Sequence, residues 1–141
     1  MTRIFWDTNL FIYLLEGSGE PLRLVRNLLN RMIERRDELL TSALTLGEVL
    51  VKPIEARRRD IADQYERMLT SPGVRLIAFD QRAARVYAEL RQDRAIRAPD
   101  AIQLSCAAAA ATDLFITNDD RLSRKTVPGV HFIVPLERAF L

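Results

Sequence analysis

Five short, mostly apolar runs punctuate this chain, and each is followed by a polar or acidic residue or a turn. They are RIFW (3–6), ELLTSAL (38–44), VRLIAF (74–79), LFIT (114–117) and HFIVPL (131–136). A strand with one wet face alternates polar and apolar residues, whereas a strand buried on both faces reads as a continuous apolar run. The stretches between the runs carry helical signals. TNLFIYLLEG opens on a capping residue and closes at Gly17. From Pro21 to Asp37, Leu22, Val25, Leu28, Leu29, Met32 and Ile33 recur at spacings of three and four, with arginines on the other face. TLGEVLV is helical and is expected to end at Pro53. A charged helix is expected from Ile54 to Leu69, followed by a turn at Ser71-Pro72-Gly73. Asp80 caps a helix through AARVYAEL, and Pro99 and Asp100 mark the first turn of an alanine-rich one. NDDRLSR is expected to be a capped short helix.

Strands alternating with helices imply a three-layer α/β/α sandwich around a central, mostly parallel five-stranded sheet, with residues 1–141 as one domain. Such sheets bind ligands beyond the carboxyl ends of their strands, where strand order reverses. Asp7 and Asp119 both lie just past strand ends.

Composition narrows the class. Hydrophobic content of 48% with 28% charged residues suits a globular domain and excludes a disordered one. The formal charge is only +2, and just two of the 21 basic residues, Lys52 and Lys125, are lysines. Arginine suits phosphate contact, although a GC-rich genome gives the same bias. The single cysteine, Cys106, allows no intrachain disulfide and reads as a small buried hydrophobe. The apolar runs fall far short of the roughly 20 residues of a membrane span, and the N-terminus lacks the pattern of a signal peptide. A cytoplasmic protein without membrane contact is the expectation.

Several acids stand in apolar or strand-end contexts: Asp7, Glu48, Asp100, and Asp119 with Asp120. Asp7, Asp100 and Asp119 sit where helices begin, and aspartate there also caps free N–H groups and complements the helix dipole. Glu48 lies inside a helix, flanked by Leu46, Val49 and Leu50, where capping does not account for it. An exposed helical glutamate is its plainer reading, and both readings stay open at this point.

The four segments FWDTNLFIYLL, LTLGEVL, APDAIQLSCA and DLFITNDDRL, in that order, make the chain resemble the PIN-domain family. In size and layout it is similar to the VapC-like ribonuclease toxins of toxin–antitoxin systems, over essentially its whole length. The resemblance implies an acidic cluster at Asp7, Glu48, Asp100 and Asp119, a site hydroxyl at Thr117, and polar positions at Thr8 and Asn9 beside the first Asp. Asp120 lies outside that pattern. It further implies an RNA substrate, products with a 5′-phosphate and a 3′-hydroxyl, a homodimer, and a small cognate antitoxin partner.

The chemistry is coherent. Two unit charges ~4 Å apart at an effective dielectric of ~20 repel by about 4 kcal/mol, so clustered carboxylates take up protons or a cation. All-oxygen ligation selects Mg²⁺ or Mn²⁺ over zinc. The one histidine, His131, lies in an expected core strand and is a poor candidate for a base or a ligand. Arg94, Arg97, Arg121 and Arg124 flank Asp100 and Asp119 in sequence and would offset the repulsion of RNA phosphates. Arg57–Arg59 read as a solvated helix face, and Trp6, Phe11 and Tyr13 as core ahead of base-stacking platforms.

Three rivals remain: an aspartyl-phosphate phosphatase, a PIN-type RNA-binding module without catalysis, and an RNA-processing nuclease with no antitoxin. The first expects a second Asp where this chain has Asn9, and a downstream lysine where few exist. The second expects a missing acid, and none is missing.

Overall fold

The computed structural model describes residues 2–139. Five strands form one sheet in the order β3-β2-β1-β4-β5: β1 (Arg3–Trp6), β2 (Glu38–Ser42), β3 (Val74–Ile77), β4 (Thr112–Thr117) and β5 (Val130–Pro135). Every pairing between them is parallel. The sheet is thus wholly parallel, not just mostly so.

Alternation along the strands divides the core in two. Ile4 and Trp6 of β1 face one layer, with Leu10 and Phe11 of α1 (Thr8–Glu16) and Val25, Leu28 and Met32 of α2 (Gly19–Arg35). The same layer takes Val49 of α3 (Ala43–Glu55) and Tyr65 and Leu69 of α4 (Arg59–Leu69). Phe5 points the other way, into a layer with Ala83 of α5 (Gln81–Leu90) and Ala101, Leu104 and Ala107 of α6 (Ala98–Ala109). Phe5 stacks on its register partner Phe115, with ring centroids 5.1 Å apart and planes 11° apart. Full burial of each ring stabilises the fold by about 2–3 kcal/mol and locks β1 against β4.

The chain runs from β1 outward through β2 to β3, then crosses back by way of α5 and α6 to β4 and β5. Strand order therefore reverses between β1 and β4, the place where a parallel sheet opens a crevice at its carboxyl end.

Four local expectations are corrected. Pro53 does not end α3: the helix runs two residues further to Glu55, with Pro53 buried inside it. A proline removes a single N–H bond, and the stop comes where Arg57 turns left-handed at φ 55°. That turn also splits the expected 54–69 helix, so α4 begins only at Arg59. NDDRLSR forms a single 3₁₀ turn, Leu122–Arg124, because Asp119 ties back to the Arg121 N–H instead of capping a longer helix. His131 does lie on β5, but on an edge strand's outer side, exposed and 3.5 Å from Asp113. Trp6 and Phe11 are fully buried, and so is Cys106.

Candidate active site

β1 ends at Trp6, and α1 begins at Thr8, leaving Asp7 as the hinge between them. Its backbone is extended, and its Oδ1 accepts the Thr8 N–H at 2.9 Å, so the N-cap reading holds. Its N–H donates to the Ile116 carbonyl at 3.0 Å, continuing the β1–β4 ladder by one residue. That register brings Thr117 alongside, and the Thr117 hydroxyl donates to Asp7 Oδ2 at 2.8 Å. Asp7 is thus both a cap and a site residue. Burial pushes its carboxyl up to about 6; the Thr117 and Thr8 hydrogen bonds oppose this, and the charges of Asp100 and Glu48 add to it. Among the described residues, no arginine or lysine forms an ion pair with Asp7.

Glu48 projects from the second turn of α3 toward the same crevice, and the Thr8 hydroxyl donates to its Oε1 at 2.6 Å. A buried polar network lies beneath. Gln103 of α6 donates from Nε2 to Thr45 Oγ1 at 2.8 Å and to Thr8 Oγ1 at 3.0 Å. Its Oε1 accepts the Ser42 hydroxyl. The Thr41 hydroxyl meets the Trp6 carbonyl and the Thr45 hydroxyl, each at 2.8 Å. Gln103, Ser42, Thr41 and Thr45 were not singled out from the sequence. One signal was available: Gln103 follows Asp100 by three residues, on the same helical face, in an otherwise apolar helix.

Asp100 stands in the first turn of α6 behind Pro99. Burial raises its carboxyl above the ordinary range, and the charge of Asp119 adds to this; Arg97 and Arg121 pull it down, and Glu48 raises it. Asp119 behaves in the opposite way. Both of its oxygens engage Arg121: Oδ1 accepts the backbone N–H at 2.9 Å and Nε at 3.2 Å, and Oδ2 accepts Nη2 at 2.9 Å. That guanidinium holds the Asp119 carboxyl below its usual range.

One pocket of about 570 Å³ joins Asp7, Glu48, Asp100 and Asp119 with Thr117, Asn9, Arg97 and Arg121. Arg94 does not line it; the residue is exposed in the turn before α6. Asp120 reaches the rim, but its carboxylate pairs with Arg138 at 2.9 Å and Arg124 at 3.3 Å. Arg57–Arg59 lie at the α3–α4 turn, outside the pocket, and are exposed.

The donor set has the chemistry of a hard divalent cation site: oxygen only, with one buried carboxylate lacking a cationic partner. Among the described residues, however, no three Asp, Glu, His or Cys side chains are drawn together as a ready chelate. Arg121 holds Asp119, and Thr8 holds Glu48. Mg²⁺ tolerates such spacing because it keeps several waters and uses one or two carboxylates directly.

The model of the PIN domain family matches residues 4–127. The chain belongs to the PIN-domain family. Solved structures agree with that placement of the fold. A toxin–antitoxin complex from Klebsiella pneumoniae contains a chain 27% identical to this PIN domain, covering 90% of this chain and 94% of that one at a TM-score of 0.64. VapBC-5 of Mycobacterium tuberculosis, a member of the VapBC family of toxin–antitoxin systems, matches at 25% identity, 96% and 99% coverage, and a TM-score of 0.63. VapBC2 from Rickettsia felis, bound to a DNA fragment from its promoter, shares the fold at a TM-score of 0.75 with 17% identity, over 95% and 98% of the two chains. No curated protein sequence matches the chain. Among the described residues, no helix is long and apolar enough to cross a membrane.

Proposed function

We propose that this PIN domain is a Mg²⁺- or Mn²⁺-dependent endoribonuclease and the toxin of a toxin–antitoxin pair. The observation that carries the reading is Asp7, a carboxylate raised to about 6 by burial, facing Asp100 and Glu48 in one open pocket without a cation of its own. A carboxylate left so costs stability unless the site uses it. Asp7, Glu48, Asp100 and Asp119 would hold the metal, directly or through water. When bound, it would supply a water of lowered pKa and neutralise charge on the phosphoryl oxygens. Thr117 fixes the Asp7 carboxylate, and Asn9 and Arg97 stand where an RNA backbone would enter. The similarity to VapBC chains supports an antitoxin partner for this chain, with a homodimer and a cytoplasmic setting as part of the same reading.

The test is cleavage of structured RNAs with Mg²⁺, Mn²⁺ or EDTA, comparing the wild type with Asp7→Asn and Glu48→Gln. Metal-dependent cleavage lost in both variants is expected, with 5′-phosphate ends. Cleavage that survives both the chelator and the substitutions sinks the proposal. A folded wild type that binds the metal and RNA but cuts nothing favours the binding-module reading.

A further inference from the structure

Gln103 is about 1% exposed, yet it carries an amide, and its hydrogen-bonding groups are matched by the structure around it. Oε1 takes the Ser42 hydroxyl, and the two Nε2 protons face Thr45 and Thr8, with Asp7 Oδ1 further off at 3.4 Å. The orientation of this amide is decided by its neighbours. At the pocket end stand Asp7 and Glu48, which accept and cannot donate when ionised. At the far end stands Ser42, which can donate.

The consequence falls on Thr8. With Nε2 toward it, the Thr8 hydroxyl oxygen accepts a hydrogen bond from Gln103 and the hydroxyl donates its own to Glu48, at 2.6 Å. With the amide reversed, Oε1 would compete for that proton, and Glu48 would lose its donor. Asp7, which only accepts when ionised, and Ser42, at the end of β2, together set how Gln103 of α6 supports Glu48 on α3.

We infer that Gln103 is a positioning residue: its buried amide, oriented by Asp7 and Ser42, directs the Thr8 hydroxyl onto Glu48 and so presents Glu48 and Asp7 to the metal. This rests on the metal-dependent reading of the site given above. Groups that orient metal-binding side chains typically contribute 10–100-fold to affinity.

The test is calorimetric titration of the full chain with Mn²⁺, alongside RNA cleavage kinetics. Gln103→Leu keeps the volume and removes the amide; its Mn²⁺ affinity is expected to fall at least 10-fold, and kcat to fall while KM for RNA holds within about twofold. Thr8→Val is expected to show a similar loss, and the double variant no more than the larger single one, because Gln103 acts through Thr8. Ser42→Ala, which leaves the buried Gln103 Oε1 without its donor and loosens the amide, gives a smaller loss that also vanishes in the Thr8→Val background. It carries the test if Gln103→Leu does not fold. Wild-type Mn²⁺ affinity in the Gln103→Leu or Ser42→Ala variant, or losses that simply add in the double variants, overturns the inference alone. A wild type that takes up no Mn²⁺ overturns the metal-dependent reading, and the inference with it.

Discussion

Thr117 Oγ1 lies 2.8 Å from Asp7 Oδ2, so two neighbouring parallel strands end on a shared hydrogen bond across the mouth of the crevice. The same hydroxyl oxygen accepts the Asp119 N–H at 3.0 Å. One small side chain thus orders both strand-end acids. Thr117→Val keeps the shape and removes both bonds. The Asp7 carboxyl then moves further above 6, since a bond that lowers it is gone. Stability should fall by roughly 1–3 kcal/mol for the stranded partners, and cleavage at neutral pH by at least about 10-fold. Thr117→Ser should restore most of both, as read by thermal unfolding and RNA cleavage side by side. Equal defects in the Val and Ser variants would show that the methyl matters and the hydroxyl does not.

Asp7 gives the metal-free protein a pH dependence of definite sign. Its folded value, about 6, lies above the ordinary 3.8, so the folded state holds this proton more tightly than the unfolded state does. Below about pH 4 the group is protonated in both states and costs nothing. Stability is lost as pH rises from there through 6, reaching a penalty of up to about 3 kcal/mol at pH 7 and above. Asp7→Asn removes that penalty. In EDTA it should melt above the wild type at pH 7.5 and alongside it at pH 4, while being inactive. Mn²⁺ should raise the melting temperature of the wild type at pH 7.5 and leave that of the variant nearly unchanged. A difference between the two proteins that does not vary with pH would remove Asp7 as its source.

How much of this was legible in the sequence depends on the range of the forces involved. The runs at β1, β2 and β4 announced inner strands because a doubly buried parallel strand has no polar face to interrupt it, whereas β3 and β5 lie at the sheet edges and stay partly exposed. Asp7 was legible as a strand-end cap, and that local reading holds in the structure. Its meeting with Thr117 was not readable from spacing, because 110 residues separate them and only the β1–β4 register joins them. Gln103 stayed hidden for a similar reason: its partners come from α1, β2 and α3. Pro53 misled because a proline near a helix end removes a single bond, while the actual stop needed the left-handed turn at Arg57. Arg94 and Arg97 looked equivalent in sequence, yet only Arg97 stands at the N-cap of α6 and lines the pocket.

Arg121 grips Asp119 through both oxygens, but the pair is open to solvent, with side chains 63% and 30% exposed. Such solvent-screened pairs contribute little to stability. Arg121→Ala should therefore scarcely shift the melting temperature. It frees the Asp119 carboxylate and lets its proton affinity return toward the ordinary range. With Asp119 free, Mn²⁺ is expected to bind several-fold more tightly in titration calorimetry. Binding that is unchanged or weaker would mean that Asp119 stays outside the metal's reach.

Arg97 and Arg94 offer a matched comparison on one short segment. Arg97 precedes α6 and lines the pocket with Asp100, lowering that acid's proton affinity, whereas Arg94 does not line it. An arginine that neutralises one phosphate of single-stranded RNA adds about 0.7 to the slope of log affinity against log salt. With catalysis blocked by Asp7→Asn, Arg97→Ala should weaken RNA binding and flatten that slope by about this amount. Arg94→Ala should leave both close to the parent values. The measurement is a salt series of fluorescence anisotropy titrations on one labelled RNA. Equal losses in the two variants would mean that the RNA follows a broad basic surface instead of the acidic pocket, and Arg97 would lose its proposed role at the RNA entry.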